Sequence, residues 1–278
     1  MSIITISRGS YSRGKEIAEK VAEIMHYSCV SRDLLLESSK EFDIPEVKLV
    51  RALHDSPSIL ERFTHGKEKY LAHIRSSLLQ HAQKDNLVYH GLAGQYFLSN
   101  IPHIFKVRIT ANMEDRVCEE SQRENISKDQ ARYILKKDDE ERRKWGLQVY
   151  GIDTWDSRLY DMVLHIGALS VDDAVNIICN TVQKDAFKIT AEDKKYIDNI
   201  AIASYVQVGI IQIASHALVS CDEGHVTIHF PQPISSFSNK QLDNIKAIAM
   251  KIDGVKSVTL LGADARQHNM VNPFHNIN

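Results

Sequence analysis

Cysteine is scarce in this sequence, and its few copies lie too far apart to suggest a metal or disulfide framework. The 278 residues include only Cys29, Cys118, Cys179 and Cys221, with no C-x-x-C pair among them. Closely spaced cysteines are the signature of zinc sites and of small disulfide-stapled domains. The 13 histidines are scattered as well. We therefore expect four idle thiols and no structural metal.

Long apolar runs and an excess of charge of one sign are also lacking. No uninterrupted apolar stretch reaches the about 18 residues that a transmembrane helix needs, and the first residues lead directly into a candidate strand rather than a basic, apolar leader. A formal net charge of −2 provides no global attraction for nucleic acid or for an anionic membrane. We expect a soluble cytoplasmic protein without nucleic-acid partners, in which any anion site is local.

The strongest motif is a strand, a glycine-containing loop and a helix at the N-terminus. Gly9 and Gly14 bracket four residues and Lys15 follows, which gives the spacing G-x-x-x-x-G-K behind an isoleucine-rich run. Glycine lets backbone N–H groups approach phosphate at a helix N-terminus, and lysine adds a mobile positive charge. The alternative is a turn without a ligand. The candidate phosphate contacts are Gly9, Ser10, Ser12, Arg13, Gly14 and Lys15.

The residue after the lysine departs from this motif. Phosphate loops of this kind usually carry Ser or Thr there, whose hydroxyl holds Mg²⁺, but this sequence has Glu16. A carboxylate repels phosphates unless a metal or an arginine lies between them. We therefore expect Glu16 to face away along the helix, and Mg²⁺ to be held by other groups.

Short apolar runs alternate with helical segments through the first two thirds of the sequence. After the first strand, the candidate strands are 27–30, 86–90, 104–109 and 159–166. Such alternation is typical of βαβ units with right-handed crossovers. The sequence therefore predicts an α/β domain with a three-layer parallel sheet.

Candidate ligand contacts also follow the second strand. Ligands of open parallel sheets gather beyond the carboxyl ends of the strands, so Arg32 and Asp33 are expected in the same crevice as the phosphate loop. Helix capping is the alternative role for Asp33. The helical insertion from Phe42 to Lys84 is a candidate wall for an acceptor substrate.

A highly charged stretch from Glu114 to Lys144 interleaves arginines with acidic residues. A solvated helix pair held by i, i+4 charge pairs accounts for this pattern. Asp139 and Arg142 are three residues apart, however, and so share a helix face. Arginines that close over a transferring phosphoryl group need such a placement, so the hairpin is also a candidate mobile lid.

Taken together, these motifs resemble the cytidylate kinase-like family of P-loop nucleoside monophosphate kinases over about residues 1 to 185. The resemblance depends on the order and spacing of the opening strand and loop, residues 31–35, the Asp139-x-x-Arg142 pair, and segments 159–164 and 169–175. It implies a P-loop kinase fold with a helical lid, ATP and Mg²⁺ as cofactors, and transfer of the γ-phosphoryl group to CMP or dCMP.

The resemblance also implies roles for individual residues. Lys15, Arg123 and Arg142 are the implied catalytic residues, and Arg116 is placed beside the donor nucleotide. The implied acceptor and lid contacts are Arg32, Asp33, Arg132, Asp139 and Arg142.

Two departures from the family pattern count against full activity. Glu16 replaces the hydroxyl residue, and Leu92 follows Gly91 where many relatives have arginine. A second hypothesis is therefore a kinase-like module that senses nucleotide without transferring phosphate. Phosphorylation of another small acceptor is a third, because the P-loop kinase scaffold hosts many substrates.

The last third of the sequence predicts a small α+β domain: a helix from Thr190, a hairpin of 217–221 and 226–230, a second helix and a strand at 254–261. Residues 206–213 fit either a helix or a strand. The order resembles the BON domain, which implies an interaction with membrane lipid or protein. This sequence has no basic amphipathic face, which favours a regulatory, ligand-sensing or dimerising role. The expected domains are 1–186 and 188–262, followed by a polar tail at 263–278.

Overall fold

The computed structural model describes residues 2–9, 12–31, 67–91, 94–98, 101 and 103–263. They fall into two compact units, of which the first takes the described residues of 1–64 and 84–189 and the second those of 65–83 and 190–274. The predictions for Ser10, Arg32, Asp33 and Leu92, for most of the insertion and for nearly all of the polar tail lie outside the described residues.

The first unit alternates strands and helices along the chain. In chain order, with one helix of the second unit included at its place, the elements are β1 (Ile3–Arg8), α1 (Gly14–Met25), β2 (Ser28–Val30), α2 (Lys67–Gln83, second unit), β3 (Leu87–His90), α3 (Gly94–Phe97), β4 (Phe105–Ala111), α4 (Met113–Glu124), α5 (Lys128–Tyr150), β5 (Met162–Ile166) and α6 (Val171–Val182).

The first unit is built on a parallel sheet with β1 at its centre. Within the described residues, its strands have the order β2-β3-β1-β4-β5. Ile4 and Ile6 of β1 are buried with Phe105 and Val107 of β4, and α1 and α6 pack apolar side chains onto this core. Strands of parallel sheets are buried, which is why they appear in the sequence as nearly continuous apolar runs. The predicted α/β class is confirmed.

The last strand of this sheet is shorter than predicted. The apolar run suggested a strand over 159–166, but β5 begins at Met162, and Ser157–Leu159 form a 3-10 turn. The Asp156 carboxylate accepts the backbone N–H of Arg158 at 2.9 Å, which stabilises the turn. Leu159 therefore belongs to the turn.

The charged stretch forms the expected helix pair. α4 ends at Glu124, Asn125 adopts a left-handed backbone, and α5 starts behind a capping box in which Ser127 and Gln130 satisfy each other's backbone N–H groups. Val117, Ala131 and Leu135 form a small apolar core of their own. The hairpin thus has packing that is separate from the main core of the sheet.

The second unit contains α7 (Ala191–Ile210), β6 (Leu218–Asp222), β7 (His225–His229), α8 (Asn239–Met250) and β8 (Ser257–Leu261). β6 and β7 form the predicted antiparallel hairpin, and β8 pairs with β7 in parallel. The ambiguous run 206–213 is helical as far as Ile210. In the described part of the chain, no helix is long and apolar enough to cross a membrane.

Helix α2 is placed in the second unit, although in the chain it lies between β2 and β3 of the first. It packs along α7, and the Gln83 amide donates to the Asp198 carboxylate at 3.0 Å. Leu71, Ile74 and Leu78 of α2 are buried. The helical insertion that the sequence offered as an acceptor wall therefore supplies a packed helix to the C-terminal unit.

Candidate functional site

The glycine loop is tied to the neighbouring strand β4. The buried Ser12 hydroxyl lies 3.0 Å from the Gly9 carbonyl oxygen and 3.1 Å from the Ile109 carbonyl oxygen. The Gly9 N–H donates to the same Ile109 oxygen at 3.3 Å. The Ser12 side chain therefore stabilises the loop through hydrogen bonds to the backbone.

Helix α1 starts close against the end of β1. A Cβ atom on Gly14 would lie 2.7 Å from the Arg8 Cβ, so a larger residue would push the helix start away from the strand. Arg13 precedes it with a left-handed backbone (φ 66°), and no side chain caps the helix. An uncapped helix N-terminus presents backbone N–H groups and the positive end of the helix dipole, which suits a phosphate.

The charged residues on the first turns of α1 point along the helix. The Lys15 side chain is 64% exposed, and its ammonium lies 3.7 Å from the Glu19 carboxylate. Glu16 contacts Arg13 at 3.5 Å and Lys20 at 3.4 Å, which is the outward orientation expected for it. Such exposed pairs contribute little, so the Lys15 side chain can turn toward a bound phosphate at small cost.

A buried arginine stands beside the loop. Arg116 of α4 is only 7% exposed, and its guanidinium carbon lies 3.7 Å from the position that a Cβ atom on Gly9 would take. Its Nη2 donates to the Asp139 carboxylate of α5 at 2.7 Å. The ion pair joins the two helices of the hairpin and places a positive charge next to Gly9.

A polar pocket opens at the carboxyl end of β1, beside Arg108 of β4. Ligands of parallel sheets collect at the carboxyl ends of strands. The lining of the pocket includes Arg8, Gly9, Arg108, Asp139, Arg142 and Trp155. Arg142 donates to the Arg8 carbonyl oxygen at 3.3 Å, and Arg108 donates to the Thr154 carbonyl oxygen at 2.8 Å. The pocket is thus rich in guanidinium groups and contains one carboxylate among its described lining residues.

The structure brings together some of the residues that the sequence singled out. Gly9, Asp139 and Arg142 line the pocket, and Arg116 reaches it through Asp139. Ser12, Gly14 and Arg13 form the loop beside it, as described above, while the Lys15 side chain lies along α1.

Two predicted arginines are engaged elsewhere on the hairpin. Arg123 donates to Glu120, a carboxylate that is only 2% exposed, and Arg132 forms a bidentate pair with Glu114. Neither is among the pocket's lining residues. Their roles as catalytic and acceptor-binding groups stay predictions, and each would require its ion pair to be exchanged.

The carboxylates of the hairpin lie in unlike environments. Burial raises the pKa of the Asp138 carboxyl, and the charges of Asp139 and Glu120 raise it further against the opposing charge of Arg142. Hydrogen bonds from Arg132 lower the pKa of Glu114. The inner carboxylate therefore ionises less readily than the outer one.

Arg8, Arg108 and Trp155 are among the lining residues that escaped the sequence analysis. Arg8 ends β1, and Arg108 lies within β4 opposite Ser7. A charged residue within or at the end of a buried strand is a usable signal for both. Trp155 lies in the loop before β5, where no periodicity marks it.

The pocket suits a phosphate-bearing ligand better than a bare metal ion. Backbone N–H groups at α1 and the guanidinium groups of Arg116 and Arg142 offer donors for anionic oxygens. Among the residues described, no three His, Cys, Asp or Glu side chains converge on a metal site. Mg²⁺ is commonly held by one or two carboxylates together with substrate phosphates and water, so Asp139 fits a Mg²⁺ ion that arrives with a nucleotide.

Comparisons with known proteins agree with this architecture. The model of the cytidylate kinase-like family matches residues 3–168. A cytidylate kinase of Staphylothermus marinus is 28% identical over 189 residues, which cover 66% of this chain and 98% of that protein. A cytidylate kinase of Desulfurococcus amylolyticus is 25% identical over 181 residues, covering 63% and 88%.

One solved structure is similar over the same share of the chain. An uncharacterized protein of Eubacterium ventriosum has a TM-score of 0.51 and 24% identity, and the match covers 66% of this chain and 99% of that one. At this identity the likeness concerns the fold.

Proposed function

Since the chain belongs to the cytidylate kinase-like family, we propose that it is an ATP-dependent nucleoside monophosphate kinase that transfers the γ-phosphoryl group to CMP or dCMP. The observation that carries the proposal is the guanidinium-rich pocket beside the glycine loop, at the carboxyl end of β1. Phosphoryl transfer needs little covalent help from a protein and depends on positioning and charge neutralisation.

The donor phosphates would lie on the glycine loop. The N–H groups at the start of α1 and the Arg116 guanidinium beside Gly9 offer donors, and the Lys15 ammonium would leave Glu19 to reach the outer phosphates. Mg²⁺, when bound, would supply further neutralisation of the phosphate oxygens, and Asp139, which lines the pocket, would be a carboxylate able to hold it.

The acceptor would occupy the pocket beyond β4. Arg142, which donates to the Arg8 carbonyl oxygen, and Arg108, which donates to the Thr154 carbonyl oxygen, would bind the acceptor phosphate. Arg32 and Asp33 are further proposed acceptor contacts. Arg123 and Arg132 would join only if the hairpin closed as a lid and exchanged their present carboxylate partners.

Choosing CMP as the acceptor depends on the names of relatives at 25% and 28% identity, so the first experiment must offer alternatives. Purified protein with ATP and Mg²⁺ should form ADP when CMP or dCMP is added, and far less with AMP, GMP, UMP or shikimate. If ADP forms only with another acceptor, the protein is still a kinase, but its acceptor is not CMP or dCMP.

The second candidate function is a nucleotide sensor without phosphoryl transfer. It is favoured by Glu16 in place of a hydroxyl residue, and by the engagement of the Ser12 hydroxyl with the backbone carbonyls of Gly9 and Ile109. Calorimetric ATP binding without product from any acceptor would support this reading, and robust turnover would exclude it.

For the C-terminal unit we propose a BON-like regulatory module. The helix, two strands, helix and strand follow in that order, and the Staphylothermus relative is matched across 98% of its length by only 66% of this chain. The module would bind a regulatory ligand or a second copy of the chain, in the cytoplasm. Light scattering with and without nucleotide would detect self-association.

A further inference from the structure

Trp155 is a large aromatic residue that lines the pocket and yet remains 51% exposed. Most tryptophans bury far more of their surface, because the indole ring is largely apolar. An exposed indole beside the guanidinium groups of the pocket is therefore available to contact a ligand.

A salt bridge holds the ring in place from one side. The Asp153 carboxylate accepts from Arg143 Nε at 3.0 Å and Nη2 at 2.8 Å, and it also accepts the backbone N–H of Trp155 at 2.9 Å. The Arg143 guanidinium carbon lies 4.5 Å from the centroid of the Trp155 ring, a cation–π contact. Asp153 and Arg143 thus orient the indole without burying it.

The surroundings of the indole match the two halves of a nucleotide. Arg108 and Arg142, which line the same pocket, present donors suited to phosphate oxygens. A planar indole offers a stacking surface to any nucleobase, because every base has a π-face. A ligand that carries both an anionic group and a flat ring would use all of these residues.

We propose that Trp155 is the stacking platform for the nucleobase of the bound nucleotide, and that Arg143 and Asp153 are positioning residues that hold its ring. The inference rests on the proposed function, because it takes a nucleotide as the ligand of this pocket. Both the acceptor monophosphate and ATP carry a nucleobase, so the two are titrated separately.

Fluorescence provides the direct test, because the chain has only two tryptophans, Trp145 and Trp155. In the full-length Trp145→Phe variant, Trp155 is the remaining reporter, and CMP or ATP should change its emission. Calorimetry on Trp155→Ala should show binding of the stacked nucleotide weakened by about tenfold or more, with KM for that nucleotide raised and kcat changed less. Trp155→Phe keeps an aromatic ring, so its affinity for the same nucleotide should fall by only about threefold.

Two further variants separate stacking from general damage. Tyr133→Ala removes a 69% exposed aromatic that does not line the pocket, and it should bind nucleotide like the parent. Arg143→Ala should weaken binding while keeping Trp155, and Arg143→Lys should restore part of the loss.

The outcomes distinguish this inference from the proposed function. If the parent protein phosphorylates CMP while Trp155→Ala binds CMP and ATP within twofold of the parent, the stacking role is wrong and the kinase stands. If no nucleotide binds the parent protein, both fail. An emission change with CMP alone identifies the acceptor base, and one with ATP alone identifies the donor base.

Discussion

Asp138 and Asp139 are neighbours on α5, but their carboxylates lie in different environments. Asp139 accepts from the buried Arg116 at 2.7 Å, whereas burial of Asp138 raises the pKa of its carboxyl. A buried charge is tolerated when it is paired and is costly when its partner is removed. The two positions therefore respond to the same substitution in opposite directions.

Removing the charge of Asp139 should destabilise the protein. Asp139→Asn removes an ionised partner from the 7% exposed Arg116, and breaking a buried pair costs about 3–5 kcal/mol, less here because Asp139 is partly exposed. We expect urea unfolding at pH 7 to show a loss of about 2 kcal/mol, and turnover to fall with it. An unchanged midpoint would mean that Arg116 does not depend on this pair.

Asp138→Asn should instead stabilise the protein at neutral pH. Because the folded-state pKa of Asp138 is raised, this group contributes stability below its ordinary pKa of 3.8 that is lost as the pH rises through the folded value. The free energy of unfolding of the variant should therefore exceed that of the parent by an amount that grows between about pH 4 and pH 7. Below about pH 4 the two proteins should be equally stable. Denaturation curves across that range check the sign, and a constant difference would contradict it.

At the scale of elements, the join between β1 and α1 decides whether the loop can hold phosphate. Gly14→Ala puts a Cβ atom 2.7 Å from the Arg8 Cβ, so either the helix start or the end of the strand must move. We expect ATP affinity to fall by about tenfold or more, because the backbone N–H groups at the start of α1 would no longer point at the phosphate. Ala18→Gly, placed one turn on along α1, is the control: it should lower stability and leave ATP affinity unchanged.

Much of this arrangement could be predicted from the sequence, for identifiable reasons. β1 is an isoleucine-rich run and β4 alternates apolar with polar residues, so both strands are recognisable in the sequence, and Thr190 marks the start of a helix. Arg108 could have been found as a charge within a buried strand. Trp155 could not, because its position depends on an ion pair between α5 and the loop before β5.

Helix α2 lies in the segment that the sequence predicts to be helical, but its packing partner could not be predicted. Its buried residues include His73, Ser76 and Ser77 together with the leucines, so no single apolar face identifies a partner. Only the packing along α7 assigns it to the C-terminal unit.

At the scale of the whole molecule, this assignment predicts that α2 needs the C-terminal residues from 190 onward to bury its apolar side chains. The fragment 1–189 keeps α2 but lacks α7, so apolar side chains that are buried in the full chain become exposed. We expect the fragment to unfold several degrees below the full chain, and addition of fragment 190–278 to recover part of the difference. A fragment as stable and active as the full chain would show that α2 needs no partner.

The most direct test of the account is ADP formation with CMP, ATP and Mg²⁺ by the parent protein, Lys15→Ala and Lys20→Ala. The two lysines lie on the same helix and both pair with a glutamate, but only Lys15 follows the glycine loop. The account predicts turnover by the parent and by Lys20→Ala, and a loss of about 100-fold or more in Lys15→Ala, the size seen when one preorganised donor is removed. Equal rates in all three proteins would contradict it.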